Sequence, residues 1–436
     1  MRVNTCRVLV RKWNIGIFIK FTLTYICFIV LWNMLGKGIF KVCLDQSYYP
    51  SQNKIRECQT DTTFGYSDIQ GVSGPVDLVL TWVNGSDPAF IDEMIRFDLR
   101  NKSFMPKRYR DWGTLRYALR SVERNADWFR NVYIVTNGQI PRWLNLKYHR
   151  VKLVTHTEIF KNKSHLPTFN SLAIESHIHR IPGLSKHFIY MNDDFLFLNK
   201  VELKDFYTKE TGFKIRFTDM KLGYCNKTCK ILNINNGICE AECNTKQCDW
   251  DGGDCQTTRR ANEKPYNNLL RSMPPFAASV IYTATVYNKA FGSVDRQVPA
   301  HVPYIIDRSL MNELQERFPE EWDKTSASKV RDERNLMYAF AYYHYLLRPQ
   351  GQKPGHKVLF PIATLLANFE DSAYLATGNA TMLEQQLNIV LRSKRKKFVC
   401  INDHLDLNIE EQIRTQRVID SFFKALFPKP SLYELH

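Results

Sequence analysis

Short apolar runs that alternate with amphipathic stretches, from about residue 76 onwards, constrain the fold of this 436-residue chain more than any other feature. The runs that are predicted to form buried strands are Asp77–Val83, Asn131–Thr136, Val151–His156 and His187–Met191. Helices are predicted before the second and the fourth run, at Thr114–Arg124 and Asn170–Arg180. Alternation of this kind is typical of a largely parallel sheet. We therefore predict an α/β fold with a Rossmann-like, nucleotide-binding sheet.

Polar side chains follow each of the four predicted strands. In chain order they are Asn84–Asp87, Asn137–Gln139, His156 and Asn192–Asp194. Ligands of open α/β sheets bind beyond the carboxyl ends of the strands. One polar strand end is usually a turn or a helix cap. Four of them in one sheet favour a binding site at that edge.

The adjacent carboxylates of Asp193 and Asp194 suit a hard divalent cation. Mg²⁺ or Mn²⁺ takes one or two protein carboxylates and completes its shell with phosphate oxygens and water. Such an ion would neutralise the charge on a diphosphate as its bond breaks. The alternative is an acidic turn without a metal.

The C-terminal part of the chain adds further candidates. The pattern predicts helices at Ser309–Arg317, Arg331–Leu347, Met382–Leu391 and Glu410–Leu426. It also predicts a strand at Phe398–Ile401 and a loop-rich segment at residues 349–380. His301 could act as a general base and Arg331 could clamp a phosphate, and Asp403 follows the last strand. Pattern alone favours an ordinary surface or packing role for each of them.

Six of the eleven cysteines lie between Cys225 and Cys255, which indicates an oxidising compartment. About thirty residues cannot bury a sufficient core, so disulfides and an ion are expected to hold this module together. Asp251 and Asp254, around a Gly-Gly turn, can present oxygens to one Ca²⁺. Zinc is disfavoured, because the spacings are not paired C-x₂-C.

The N-terminus predicts a membrane anchor. Basic residues precede an apolar run at Ile15–Leu35, which is long enough to span a bilayer. The basic flank favours a cytoplasmic tail at residues 1–14, a polar stem at 36–74 and a lumenal remainder. A cleaved signal peptide is the alternative. Cys43 and Cys58 in the stem could pair with each other or across a homodimer.

The chain carries a formal net charge of +16, which suits an anionic ligand such as a nucleotide diphosphate. The alternative explanation of this charge is a generally cationic surface. No nucleic-acid-binding motif is present in the sequence, so nucleic acid is not expected as a partner.

Beyond these patterns, five segments resemble the conserved regions of the Stealth family. They are Val76–Pro88 for the first region, Arg108–Leu144 and Leu166–Phe197 for the long second, Ala300–Arg331 for the third and Lys396–Asp406 for the fourth. The resemblance implies a catalytic domain in two parts, residues 75–224 and 256–436.

The cysteine module at residues 225–255 resembles a Lin12-Notch repeat. That resemblance implies three disulfides and one Ca²⁺. The implied calcium ligands are the side chains of Asn236, Asp251 and Asp254 and a main-chain oxygen near Asn233. Such modules commonly bind proteins or regulate them, so the repeat does not by itself argue for catalysis.

Family and repeat together resemble a branch of Golgi enzymes that transfer a sugar phosphate. This implies UDP-N-acetylglucosamine as donor, the 6-hydroxyl of mannose on high-mannose glycoproteins as acceptor, UMP as leaving group and lysosomal hydrolases as targets for mannose 6-phosphate tagging. Two other functions stay open. One is a glycosyltransferase that moves only the sugar and releases UDP; the other is a non-catalytic glycoprotein-binding module.

The resemblance also suggests which residues form the site. Those that would line the donor pocket are Asp77, Trp82, Asn84 and Asp87. Those that would serve metal, phosphate and proton transfer are Asp193, Asp194, His301, Arg331 and Asp403.

Overall fold

A computed structural model describes residues 72–97, 108–209, 212–218, 223–255, 267–347, 363–367, 372–376, 380–392, 396–403 and 408–435. Within these ranges no helix combines the length and the apolar character that crossing a bilayer requires. The predicted anchor Ile15–Leu35, the tail before it and almost all of the stem lie outside the described residues.

The described strands are β1 Asp77–Thr81, β2 Val132–Thr136, β3 Val151–Thr155, β4 His187–Asn192, β5 Phe195–Phe197, β6 Tyr207–Thr208, β7 Gly212–Phe217, β8 Tyr304–Asp307, β9 Ala363–Ala367, β10 Ser372–Ala376 and β11 Phe398–Asn402. The central sheet has the order β3-β2-β1-β4-β8. Its first four members are parallel, whereas β8 pairs antiparallel with β4. The predicted largely parallel α/β sheet is confirmed, and the antiparallel edge strand was not predicted.

Two smaller sheets adjoin this one, with the orders β10-β11-β5 and β6-β7-β9. Only Asp193 and Asp194 separate β4 from β5, so the chain passes from the central sheet into the second sheet at this acid pair. The prediction of a loop-rich segment at 349–380 is wrong where β9 and β10 form. Their short apolar sequences carry little signal alone and become strands by pairing with β7 and β11.

The described α-helices are α1 Pro88–Arg96, α2 Thr114–Asn125, α3 His156–Ile159, α4 Ser171–Glu175, α5 Asn267–Arg271, α6 Pro275–Phe291, α7 Arg308–Arg317, α8 Pro319–Ala327, α9 Tyr338–Leu346, α10 Ala380–Arg392 and α11 Ile409–Leu426. The predicted helix Arg331–Leu347 is too long at its start. Asp332 Oδ1 accepts from the Arg334 N–H, and Asn335 Oδ1 accepts from the Asp332 N–H at 2.9 Å, which folds these residues into a turn instead.

The cysteine module forms three disulfides, the number that the Lin12-Notch resemblance implies. They are Cys225–Cys248, Cys229–Cys243 and Cys239–Cys255. Ile231 and Ile234 of the module pack with Ala278 and Ile281 of α6. A polar contact supports this packing, because Asn288 Nδ2 donates to the Leu232 carbonyl at 2.9 Å. The module is therefore docked on a helix of the catalytic part.

Candidate active site

The turn after β1 is tied to the turn after β2. Asn84 N donates to Gln139 Oε1 at 2.8 Å, and Gln139 Nε2 returns a hydrogen bond to the Asn84 carbonyl at 3.0 Å. Gly85 follows, and a Cβ there would lie 2.4 Å from the Cβ of Tyr109, so only glycine fits. The polar residues at these two strand ends thus fix the edge of the sheet.

Two residues predicted for the donor pocket have local structural roles at this edge. Asp87 is the N-cap of α1, and its Oδ1 accepts from the Ala89 N–H at 2.8 Å. Asn84 Oδ1 accepts from the Ser86 N–H at 3.0 Å within its own turn. These are the ordinary functions of such side chains, and they leave the other oxygen or the amide of each available to a ligand.

Asp111 links Trp82 to the acid pair after β4. Trp82 Nε1 donates to Asp111 Oδ2 at 3.1 Å, and Asp111 lies close to Asp193. Burial raises the pKa of Asp193 well above its ordinary value, and the neighbouring Asp194 and Asp111 raise it further. Burial raises the pKa of Asp111 as well. A cation at this edge would relieve the accumulated negative charge.

Asp194 has one satisfied and one unsatisfied oxygen. Its Oδ2 accepts from the Cys400 thiol at 3.3 Å, whereas its buried Oδ1 has no hydrogen-bond partner among the described residues. Burial raises the pKa of Asp194, and the adjacent His301 and Cys400 partly oppose that rise. An unpaired carboxylate oxygen fits a Mg²⁺ or Mn²⁺ ion, which takes one or two protein carboxylates and completes its shell with water and substrate oxygens.

His301 lies next to this acid pair. Its Nδ1 is 3.2 Å from Cys400 Sγ, and its Nε2 is 3.4 Å from Asn192 Nδ2. Burial lowers the pKa of His301, which keeps the imidazole neutral near pH 7. A neutral imidazole is suited to accept a proton from a hydroxyl.

A basic cluster around Arg331 lies near His301, because the charge of Arg331 helps to lower the pKa of that imidazole. Arg331 Nη2 donates to Ser171 Oγ at 2.6 Å, and Ser171 in turn hydrogen-bonds Glu175. Burial lowers the pKa of Arg331, while Glu175 opposes this effect. The pKa of Arg108 is lowered first by burial and then by repulsion from Arg331. Two half-buried guanidinium groups that repel each other form a favourable site for a phosphate.

Glu175 is a residue of this cluster that the sequence did not single out. It is 8% exposed, and burial raises its pKa to about 7 although Arg331 acts in the opposite direction. A carboxyl group that titrates near neutral pH is suited to proton transfer. Its signal in the sequence is weak, because an acid within a short helix normally lies on a solvated face.

Strand β4 connects the two clusters. The Tyr190 hydroxyl donates to Asn192 Oδ1 at 2.8 Å and also contacts Glu175. Asn192 Nδ2 in turn lies 3.4 Å from His301 Nε2, so polar contacts connect the basic cluster to the acidic one. The segment that carries Arg331 is held by α6, because Thr283 Oγ1 accepts from the Met337 N–H at 2.8 Å and Ser279 Oγ donates to the Asp332 carbonyl.

Two further predicted site residues are held by arginines. Asp403 follows β11 and forms an ion pair with Arg110 at 2.9 Å, and that arginine lies over the Trp112 ring. Asp77 lies at the amino end of β1, about 13 Å along the strand from Thr81. Its carboxylate binds the Arg130 guanidinium and accepts from the N–H groups of Asn131 and Ser185. The structure therefore does not bring Asp77 to the predicted donor pocket.

The Lin12-Notch repeat contains its own unsatisfied carboxylate oxygens. Asp251 Oδ1 and Glu240 Oε2 are buried and have no hydrogen-bond partner among the described residues. Burial raises the pKa of Asp251 to about 7. Asp254 Oδ2 accepts from the Gly237 N–H at 2.9 Å, and Asn236 Oδ1 accepts from the Ile238 N–H at 2.8 Å. The chemistry of this donor set fits Ca²⁺, and it makes Glu240 a further candidate ligand beside those that the resemblance implies. None of the described contacts joins the Asn233 carbonyl to these oxygens.

Family models match the chain in five places. The descriptions are Stealth protein conserved region 1 at residues 74–102, region 2 at 108–215, region 3 at 300–348 and region 4 at 390–436, and an LNR domain at 222–256. All residues of the acidic and basic clusters fall within the four Stealth regions.

Curated relatives include phosphotransferases from animals and bacteria. The human N-acetylglucosamine-1-phosphotransferase subunits alpha/beta are 52% identical over 156 residues, which is 36% of this chain and 12% of the relative. The exopolysaccharide phosphotransferase SCO6023 of Streptomyces coelicolor is 30% identical over 84% of this chain and 53% of its own length. The capsular polysaccharide phosphotransferase SacB of Neisseria meningitidis serogroup A is 27% identical over 82% of this chain and 57% of its own.

The chain thus spans about half the length of these bacterial relatives and a smaller share of the human one. These relatives and the matched regions support an enzyme of the sugar-phosphate transferase class. Because the four conserved regions occur in order from residue 74 to residue 436, the chain belongs to the Stealth family.

Proposed function

We propose that this chain transfers a sugar phosphate from a nucleotide-sugar donor to a glycan hydroxyl and releases a nucleoside monophosphate. The observation that carries this proposal is that polar contacts of Tyr190 and Asn192 on β4 join an acidic cluster to a basic one. The acids Asp111, Asp193 and Asp194 suit a cation, while Arg331 and Arg108 suit a phosphate. A nucleotide diphosphate needs both at once.

In this mechanism the acceptor hydroxyl attacks the phosphorus that carries the sugar. His301 accepts the hydroxyl proton, the new phosphorus–oxygen bond forms, and the bond to the nucleoside monophosphate breaks. Arg331 and Arg108 bind the phosphoryl oxygens as negative charge shifts towards the leaving group. A divalent cation held by Asp194 would supply charge neutralisation at the diphosphate. Glu175, with a pKa of about 7, orients Arg331 through Ser171 and can exchange a proton at the basic cluster.

The finer form of the proposal names the substrates. The donor is UDP-N-acetylglucosamine, the acceptor is the 6-hydroxyl of mannose on high-mannose glycoproteins, including lysosomal hydrolases, and UMP leaves. The name of the human relative and the presence of a Lin12-Notch repeat support this choice. We also place the enzyme in the Golgi membrane as a single-pass type II protein. Protease protection in sealed Golgi vesicles tests that topology.

The central experiment follows the label of UDP-N-acetylglucosamine carrying ³²P in its β-phosphate. The full chain is incubated with this donor and α-methylmannoside, with and without Mn²⁺ or Mg²⁺. Transfer of the sugar phosphate moves the label to the mannoside and releases unlabelled UMP. Label retained on released UDP would instead identify a glycosyltransferase, and absence of any release would favour a glycoprotein-binding module.

A variant pair links this activity to the site. Asp194→Asn keeps the size of the side chain but removes the charge that holds the cation. The matched control is Asp92→Asn, because Asp92 is an exposed acid on α1. The proposal requires loss of label transfer in the first variant and normal transfer in the second. Equal activity in both would remove Asp194 from the reaction.

The Lin12-Notch repeat has a separate proposed function, the binding of one Ca²⁺. The unsatisfied oxygens of Asp251 and Glu240 support this assignment, with Asp254 and Asn236 nearby. Titration calorimetry of the full chain with Ca²⁺ should give one site, and Asp251→Asn should lose it. Glu242→Gln, an exposed acid of the same repeat, is the control. Unchanged calcium affinity in Asp251→Asn would refute the assignment.

A further inference from the structure

Cys400 is a buried free thiol in the middle of the acidic site. It lies on β11, opposite Phe195 of β5 in an antiparallel pair. The Ile401 N–H donates to the Asp194 carbonyl at 3.0 Å, so the pairing of β11 with the chain at Asp194 fixes the register of the thiol. The proposed reaction does not use this side chain, although it contacts two residues that the reaction needs.

The thiol is placed between a carboxylate and an imidazole. Its Sγ lies 3.3 Å from Asp194 Oδ2 and 3.2 Å from His301 Nδ1. A thiol has one proton to donate and one sulfur that accepts weakly. The carboxylate can only accept, so the S–H points at Asp194. His301 Nδ1 then carries the proton that faces sulfur.

This arrangement has a consequence at each neighbour. At Asp194 the thiol occupies Oδ2, while the buried Oδ1 has no partner in the part of the chain that the structure describes, so the carboxylate presents one defined oxygen to a cation. At His301 a protonated Nδ1 leaves the lone pair on Nε2, the nitrogen that lies 3.4 Å from Asn192 Nδ2. One side chain thus sets both the orientation of a carboxylate and the tautomer of an imidazole.

We propose that Cys400 is a positioning residue for the transfer reaction, which orients Asp194 Oδ1 towards the metal ion and His301 Nε2 towards the acceptor hydroxyl. The proposal rests on the proposed function, because it assumes a cation at Asp194 and proton transfer at His301. Hydrogen-bond partners of metal ligands typically change metal affinity or activity by about 10- to 100-fold when they are removed.

Two substitutions in the full chain separate positioning from packing. Cys400→Ser retains a donor of similar size, whereas Cys400→Ala retains neither donor nor acceptor. Three quantities are measured for each: Mn²⁺ affinity from the electron paramagnetic resonance signal of free Mn²⁺, kcat and KM for label transfer, and the melting temperature. We expect Cys400→Ala to weaken Mn²⁺ binding and lower kcat by about 10-fold or more with little change in acceptor KM. Cys400→Ser should stay within about threefold of the unmodified chain.

Several results would overturn the proposal. Unchanged Mn²⁺ affinity and kcat in Cys400→Ala would show that the thiol only fills space. Equal losses in both variants, together with a lower melting temperature, would show a packing role. Absence of Mn²⁺ binding by the unmodified chain would remove the ion that the thiol is said to position.

Failure of the proposed function gives a different pattern. If the unmodified chain releases no UMP, while Cys400→Ala still loses Mn²⁺ affinity and Cys400→Ser does not, then the orientation of Asp194 by the thiol stands and the transfer reaction is rejected. The metal measurement therefore tests the role of Cys400 independently of turnover.

Discussion

The two ends of the central sheet hold their carboxylates in different ways. At the amino end, Asp77 is fully buried and accepts hydrogen bonds from Arg130, Asn131 and Ser185. At the carboxyl end, Asp194 has a buried oxygen with no partner among the described residues. Leaving such a group unsatisfied costs stability. The difference indicates that Asp77 stabilises the fold, whereas Asp194 is a candidate ligand-binding residue.

The same contrast separates two acids elsewhere in the chain. Glu434 is buried with both oxygens engaged by Arg120, at 2.7 Å each, and by the N–H of Ser431. Asp251 in the Lin12-Notch repeat has an unsatisfied Oδ1. Satisfaction of the carboxylate, rather than burial alone, therefore distinguishes structural acids from candidate ligand-binding acids in this molecule.

The largest expected effect is on turnover in Asp194→Asn. Loss of the charge that holds the cation should lower kcat by about 1,000-fold or more, since metal and electrostatic stabilisation supply several kcal/mol. The melting temperature should stay the same or rise, because the repulsion between Asp194 and Asp193 disappears. Label transfer and thermal unfolding measure the two quantities. A marked fall in melting temperature would mean that Asp194 is structural, like Asp77.

Asp77→Asn should show the reverse pattern. The asparagine amide would face N–H groups and the Arg130 guanidinium, so the free energy of unfolding should fall by about 3 kcal/mol. Donor KM should not change, because the residue lies at the far end of β1. Urea denaturation and steady-state kinetics test this, with Asp92→Asn as a control. A raised donor KM in a stable protein would instead place Asp77 in the donor pocket, as the family resemblance implies.

Local patterns in the sequence predicted the elements that position the site. The four parallel strands and α2 appear within one or two residues of their predicted bounds. The acids at the end of β4 followed from strand periodicity, because the carboxyl ends of parallel strands meet at one edge. Asp77 could not be assigned in the same way. A residue at the start of a strand has the same local pattern whether it faces a ligand or an arginine from another loop.

Long-range pairing explains most of what the sequence did not predict. The antiparallel β8 and the sheet that joins β5 to β11 depend on partners about 100 and 200 residues away. The sequence pattern placed Cys400 in a buried strand and Glu175 in a helix, and it indicated no function for either residue. Only the folded arrangement places them beside His301 and Arg331. The positions of Arg331 and His301 came from family resemblance rather than from periodicity.

Glu434→Gln gives an intermediate effect that depends on pH. Burial alone would raise the pKa of Glu434, but hydrogen bonds from Arg120, Ser431 and Arg116 outweigh it and lower the pKa to about 2. The ionised group therefore stabilises the fold fully above its unfolded pKa, near 4.5, and this contribution is lost as the pH falls towards 2.

We expect Glu434→Gln to lower the free energy of unfolding by about 2 kcal/mol at pH 7. The gap between variant and unmodified chain should close as the pH falls from about 4.5 towards 2. Urea denaturation at several pH values measures the gap, and turnover at pH 7 should be unaffected. A gap that stays constant with pH would mean that packing, and not the ion pair with Arg120, anchors the C-terminal segment.

The smallest expected effect is on donor binding in Arg331→Lys. Lysine keeps the positive charge but loses the planar donor set and the hydrogen bond to Ser171. Donor KM should rise by about tenfold, while the affinity for Mn²⁺ should not change, because no described hydrogen bond of Arg331 reaches the candidate metal-binding acids. Arg334→Lys, in the same turn, is the matched control. A loss of Mn²⁺ affinity in Arg331→Lys would show that the acidic and basic clusters depend on each other through Tyr190 and Asn192. In that case the unsatisfied carboxylate of Asp194 could not be treated as a site independent of the arginines.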